Sequence, residues 1–176
     1  MEFKDIVATR RSIRKFSDRK VEQDILKSVV DAAISAPSSR NCHSTSFLVV
    51  TRPELLKKIA TMRDYGSAFV KNAPAAILVM GDRTKTDLVQ VNSSISATTL
   101  LMAATDAGLS ACWVHVEGRP QLKDEPNGAQ AIDLLREILP IPEECDVLCA
   151  IAIGYSDFEP APLPEFDRSD MIKFVE

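Results

Sequence analysis

Glycine is scarce. The 176 residues hold six, at positions 66, 81, 108, 118, 128 and 154. No two stand close enough for G-x-G-x-x-G or a P-loop, which excludes a dinucleotide held in a Rossmann turn. G-x-S-x-G is missing too, so the nucleophile elbow of an α/β-hydrolase is excluded. Only two histidines occur, His43 and His115, far apart in sequence. The four cysteines, Cys42, Cys112, Cys145 and Cys149, form no C-x-x-C pair. That inventory argues against a zinc site and for buried, reduced thiols. No apolar run approaches the ~18 residues a membrane span needs. The opening "MEFKDIVATRR" lacks the apolar stretch of a secretory signal. Together these absences point to a cytoplasmic protein.

What is present is ordinary in bulk and uneven in detail. Hydrophobic residues make 45% and charged residues 26%, with a formal net charge of -4. One globular domain over 1–176 is the expectation. Apolar spacing predicts helices over 2–10, 21–36, 53–62, 87–107 and 129–139, with a short closing helix in "SDMIKFVE". Strands are predicted over 46–51, 75–81, 110–116 and 146–155. The second, "AAILVMG", is apolar enough to be buried on both faces. The 87–107 helix is small or apolar almost all round in its second half. It either runs through the centre or is covered by a partner subunit. Gly108 is placed to cap it. Four strands alternating with helices fit a sheet covered by helices.

Three stretches carry chemistry. "ATRRSIRKF" puts Arg10, Arg11, Arg14 and Lys15 at the start of an acidic chain, with Ser12 among them. Basic residues suit a helix C-terminus. Arginine forks also match phosphate oxygens in pairs, and a serine hydroxyl adds a further bond. In an extended segment Arg10, Ser12 and Arg14 point the same way. Nucleic acid is disfavoured by the net charge and the lack of a wider basic surface. "APSSRNCHSTSF" follows a helix with Pro37, Ser38, Ser39 and Asn41, either as turn chemistry or as ligand donors. "GLSACWVHVEGR" ends a strand at Glu117 and Gly118. That is an ordinary turn, or a place where backbone amides approach a flat ligand.

Taken in order, these stretches resemble the nitroreductase family of FMN-dependent oxidoreductases. "RRSIRKF" is similar to the family's R-R-S-x-R opening, "APSSRN" to its A-P-S-x-x-N loop, and "AATDAGLSACWV" to A-A-x-x-x-G-L-x-x-C-W. "IAIGY" with the proline-rich stretch and Arg168 resembles its ending. The resemblance spans nearly the whole chain. It implies an α+β fold, a mixed central β-sheet flanked by helices, and an intertwined homodimer with FMN at the subunit interface. By resemblance Arg10, Ser12 and Arg14 hold the FMN phosphate, Arg168 joins them, and Arg11 touches phosphate or ring. Pro37, Ser38, Ser39 and Asn41 reach the flavin from the other subunit. Glu117 and Gly118 lie beside the ring, with a backbone amide near N5. NAD(P)H is the implied reductant, a nitroaromatic or quinone the implied acceptor, and no side chain need be catalytic. Alternatives on the same fold are a dehydrogenase, a dehalogenase or a non-catalytic FMN-binding protein. The chain departs from the family pattern at His43, Ser44 and Thr45, where Gln-Pro-Trp is frequent, and at Asn92, where aspartate is. No polar ring contact is assigned in "MRDYGSAFVKNAP".

Overall fold

A computed structural model describes residues 1–162, 164–165, 167 and 169–175. In chain order the elements are α1 (Phe3–Thr9), α2 (Gln23–Ile34), β1 (Thr45–Val50), α3 (Pro53–Ile59) and β2 (Ala75–Asp82). They continue with α4 (Val89–Asp106), β3 (Ser110–His115), α5 (Ala131–Ile138) and β4 (Cys145–Gly154). Each predicted strand is found within one residue at either end. The helices are trimmed at their ends, α2 by two residues at each and α3 by three at its C-terminal end, after Ile59. Apolar runs bounded by proline, glycine and polar turns explain that agreement. The closing helix is the exception. Only one 3-10 turn forms, at Ser169–Met171, followed by exposed residues 172–175. So short a segment cannot nucleate a helix without a packing partner.

The sheet has the order β1-β2-β4-β3, with every strand pair antiparallel. Among the described residues the one parallel pairing is an isolated bridge between Ser12 and Ala111. The mixed character expected of the sheet is confined to that bridge. β2 and β4 are the central strands, and Ala75 to Met80 of β2 are all buried. One face packs against α3 and α5 through Leu56, Ile59, Leu78, Val114, Leu135 and Val147. The other packs against α2 and α4 through Leu26, Val29, Ile77, Leu100, Leu148 and Ile151.

α4 does not run through the centre. Its sheet-facing side is buried at Ala97, Leu100 and Ala104, while Leu88 just before the helix and Val91 and Ile95 on it are 45%, 52% and 37% exposed. That is an apolar stripe at helical spacing. Gly108 ends the helix as expected. Its φ of 72° lies in the left-handed region, and Leu109 N donates to Ala104 O at 2.8 Å. No helix among the described residues is long and apolar enough to cross a membrane.

Candidate functional site

The basic segment leaves α1 at Arg10, whose backbone is extended (φ -53°, ψ 129°). It then runs past the outer edge of β3, where Ile13 N donates to Ala111 O at 3.1 Å. Alternation follows: Ser12 is exposed, Ile13 is buried, Arg14 is exposed. Ser17 N donates to Tyr155 O at 2.9 Å and fixes the segment's far end. Arg11 faces back, its Nη1 donating to Ala8 O at 2.7 Å and Arg10 O at 2.9 Å, with Nε buried and unpartnered. Burial pushes the nearby Cys112 thiol up, against the pull of Arg14 and Arg10. Both guanidiniums therefore lie within electrostatic reach of the start of β3. Among the described residues no carboxylate pairs with Arg10, Arg11 or Arg14. Arginines without counter-charges in an acidic chain, with a serine between them, form a donor set that fits a phosphate.

Glu117 and Gly118 follow the other end of β3, where a bulge helps place them. β2 pairs Val79 with Cys149 and Met80 with Val147, skipping Leu148. The freed Leu148 carbonyl accepts Val116 N at 3.0 Å and Glu117 N at 3.2 Å. Gln90 Nε2 donates to Glu117 Oε1 at 2.8 Å. Gly118 takes φ 61°, and a Cβ placed there meets nothing within 4 Å. The space above this turn is open, and glycine is what its backbone favours. Its amide donates no hydrogen bond among the described residues. These features fit a flat ring beside the turn.

Pro37, Ser38, Ser39 and Asn41 lie elsewhere. Their loop leads into β1, the opposite edge of the sheet from β3, three strand spacings or about 14 Å away. It is tied to the N-terminal end of α4 by Asn92, which is 1% exposed. Asn92 Oδ1 accepts Ser39 N at 2.9 Å, and its Nδ2 meets Ser44 Oγ at 3.0 Å and Ser39 Oγ at 3.1 Å. Arg40, Asn41 and His43 all have left-handed backbones, with φ of 51°, 54° and 46°. Asparagine tolerates this; arginine and histidine pay strain for it. Cys42 sits inside the same network. Desolvation raises its thiol, but the hydroxyls of Ser44, Ser39 and Ser38 and the Ser44 amide outweigh that and lower it. One chain thus brings the arginine cluster and the Glu117–Gly118 turn to one sheet edge and leaves the serine loop at the other. Arg168 lies outside the described residues.

Two residues lie outside the predicted site set, although Asn92 stands in the sequence as a departure from the family's aspartate. Asn92 is the buried hub just described. Arg63, in the turn after α3, donates from Nη1 to His115 O at 2.7 Å. The aspartate frequent in the family at this position was the signal for Asn92. For Arg63 there was none beyond the unassigned "MRDYG". A cleft of about 1020 Å³ lies at the β4 C-terminal end of the sheet, lined by Lys15, Lys20, Lys27 and Lys71. Of the predicted site residues only Arg14 reaches it.

His115 reports on the charge around the Glu117 turn. Desolvation pushes its imidazole below the usual range, Arg119 and Arg63 push the same way, and Glu117 at 3.8 Å opposes them. Between that lowered folded value and about 6.5 the unfolded chain binds more protons. This contribution to stability is therefore complete above about pH 6.5 and falls as pH drops through that window. Urea midpoints measured against pH should show a shallower acid-side slope for His115→Gln than for wild type. Equal slopes would contradict this placement of charge.

The architecture defines an α+β protein built on an antiparallel sheet, with an anion-fitting edge. The sequence pattern of the Nitroreductase family matches residues 7–62 and 61–155. A protein of Methanothermobacter thermautotrophicus assigned as a NADH dehydrogenase/NAD(P)H nitroreductase is 34% identical over 171 residues, covering 95% of this chain and 84% of the relative. The structure of an FMN-dependent nitroreductase from Clostridium difficile R20291 is 34% identical, with a TM-score of 0.88 over 97% of this chain and 98% of that one. An iodotyrosine deiodinase of Haliscomenobacter hydrossis is 25% identical, covering 96% of this chain and 85% of its own. The chain belongs to the Nitroreductase family.

Proposed function

We propose that this protein is an FMN-dependent oxidoreductase that passes reducing equivalents from NADH or NADPH to a nitroaromatic, quinone or similar small acceptor. The observation that carries the reading is the edge of β3. It offers arginines without carboxylate partners at one end and an open, left-handed glycine turn at the other. β3 rises about 16 Å from Ser110 to His115 before the Glu117–Gly118 turn, which suits an elongated mononucleotide. FMN, when bound, would supply the redox chemistry of hydride transfer.

The chain's part is to bind and orient. Arg10, Ser12 and Arg14 take the phosphate oxygens, replacing the water around a group of nearly two negative charges. Arg11 steadies the segment from behind, and Arg168 is assigned to the same phosphate by family resemblance. Glu117, held by Gln90, would border the ring, and the Gly118 amide would be free to donate to it. No side chain is assigned as catalytic acid or base. A homodimer accounts for two observations. The exposed stripe of Leu88, Val91 and Ile95 needs a cover. Pro37, Ser38, Ser39 and Asn41 of the partner subunit complete the site that one chain leaves open. The whole chain then acts as one domain, in a cytoplasm that supplies NAD(P)H and keeps the thiols reduced.

The test is anaerobic. NADH or NADPH added to FMN-loaded protein should bleach the flavin band, and a simple quinone should restore it. One pocket used in turn by both substrates predicts parallel double-reciprocal plots. A flavin that stays oxidised with both nucleotides would overturn the NAD(P)H reading. Ready reduction without quinone or nitroaromatic turnover would favour a dehalogenase like the deiodinase relative.

A further inference from the structure

Trp113, His115 and Glu117 stand two residues apart at the end of β3, a spacing that puts side chains on one face of a strand. That face meets α4: Trp113 packs in the cluster of Leu100 and Ala104, and Gln90 of α4 bonds Glu117. The three side chains are linked in a row. Trp113 Nε1 donates to His115 Nδ1 at 3.4 Å, with the two rings 18° from parallel. An indole nitrogen can only donate, so Nδ1 is bare and the imidazole proton sits on Nε2. Nε2 stands 3.8 Å from Glu117 Oε2, outside hydrogen-bond reach. The other carboxylate oxygen, Oε1, accepts Gln90 Nε2 at 2.8 Å. Nothing in the FMN reading yet uses the imidazole.

A second proton on this imidazole has to go to Nδ1. Two N–H donors then face each other, and the Trp113 bond is lost. The push is away from Trp113, along the row toward Glu117. A charge-assisted bond from an imidazolium to the carboxylate is stronger than the one a neutral amide offers. Glu117 favours the charged ring. Arg119, in the loop that follows, opposes it, as does Arg63, whose Nη1 holds the His115 carbonyl at 2.7 Å. Cys149, the cross-strand neighbour on β4, stays a neutral thiol because burial pushes it up. α4 brings the uncharged Gln90 to the row.

We propose that His115 is a positioning residue for the ring end of the site, placing Glu117 by its charge state. The inference rests on the FMN reading above. Neutral His115 stays with Trp113 and leaves Glu117 tied to Gln90, which braces the Glu117–Gly118 turn against α4. Charged His115 takes the carboxylate for itself and releases the brace. The turn then holds the ring less well, so acid weakens FMN binding beyond what the phosphate's own titration does. The switch needs one local charge change and a carboxylate with two partners within reach.

Trp113 is the chain's single tryptophan, and an imidazolium quenches indole emission more than a neutral imidazole does. Emission of FMN-free protein from about pH 8 to about pH 5 reads the first event, with circular dichroism confirming the fold at each pH. Wild type should lose emission in a single-proton step with its midpoint below about 6.5. The step should vanish in His115→Gln and move to lower pH by about half a unit or more in Glu117→Gln. FMN dissociation constants at the two ends of the range read the second event. Wild type should weaken roughly 3- to 10-fold more than His115→Gln, a comparison in which the phosphate's titration cancels. Flat wild-type emission, a step that survives in His115→Gln, or equal weakening in both proteins overturns the inference. Should His115→Gln fail to fold, an unmoved midpoint in Glu117→Gln overturns it alone. A wild type whose emission titrates as expected but that binds no FMN at any pH defeats the functional reading instead.

Discussion

Arg10→Ala and Arg14→Ala should each weaken FMN binding by about 1 to 3 kcal/mol, or roughly 5- to 150-fold in Kd. Each removes a charge-assisted donor from a phosphate that has lost its water. Neither side chain carries a carboxylate partner, and Arg14 is exposed, its one ring contact being Phe69 at 5.7 Å. Folding stability should therefore stay close to wild type, which separates this result from general damage. Arg11→Ala behaves differently. Its guanidinium closes the end of α1 on Ala8 O and Arg10 O, so its loss should appear in the melting temperature as well. Fluorescence titration of FMN against the three variants gives the comparison. Unchanged affinity in both Arg10→Ala and Arg14→Ala would remove the phosphate assignment.

Asn92→Leu should cost about 2 to 4 kcal/mol of stability, the largest loss expected from a polar residue in this chain. The leucine would leave the Ser39 amide and the Ser44 hydroxyl facing an apolar group, and Ser44 is 2% exposed. It would also release a loop whose left-handed Arg40 and His43 are held in place from outside. Asn92→Asp is the informative partner. A carboxylate still accepts from Ser39 N, and both serine hydroxyls can rotate to donate to it. Near neutral pH it should keep most of the stability that leucine loses. Denaturant midpoints for the pair decide the matter. Equal losses would mean that the packing of α4 matters here and the hydrogen-bond hub does not.

The elements of this fold were legible because apolar runs end at recognisable punctuation. Pro37, Pro140 and Gly108 each stand just beyond a helix. Strand order and direction were not legible, because pairing is decided by residues far apart in sequence. The exposed stripe on α4 was hidden for a related reason. A helix that is apolar all round reads the same whether its second face meets its own sheet or another chain. Within the candidate site, the alternation of Ser12, Ile13 and Arg14 was readable from spacing. The gap between the arginine segment and the serine loop was not, since it follows from their places on opposite sheet edges. Arg63 was invisible because its significance lies in a carbonyl 52 residues away. The left-handed turn at Arg40, Asn41 and His43 lacks the glycine that would have announced it.

The most direct measurement is the visible spectrum of the purified protein after loading with FMN and desalting, with flavin counted per chain. The account predicts a retained flavin band at about one FMN per chain, lost in an Arg10→Ala/Arg14→Ala double variant that still folds. A folded wild type that passes the column colourless, or a double variant that keeps its flavin, would contradict it.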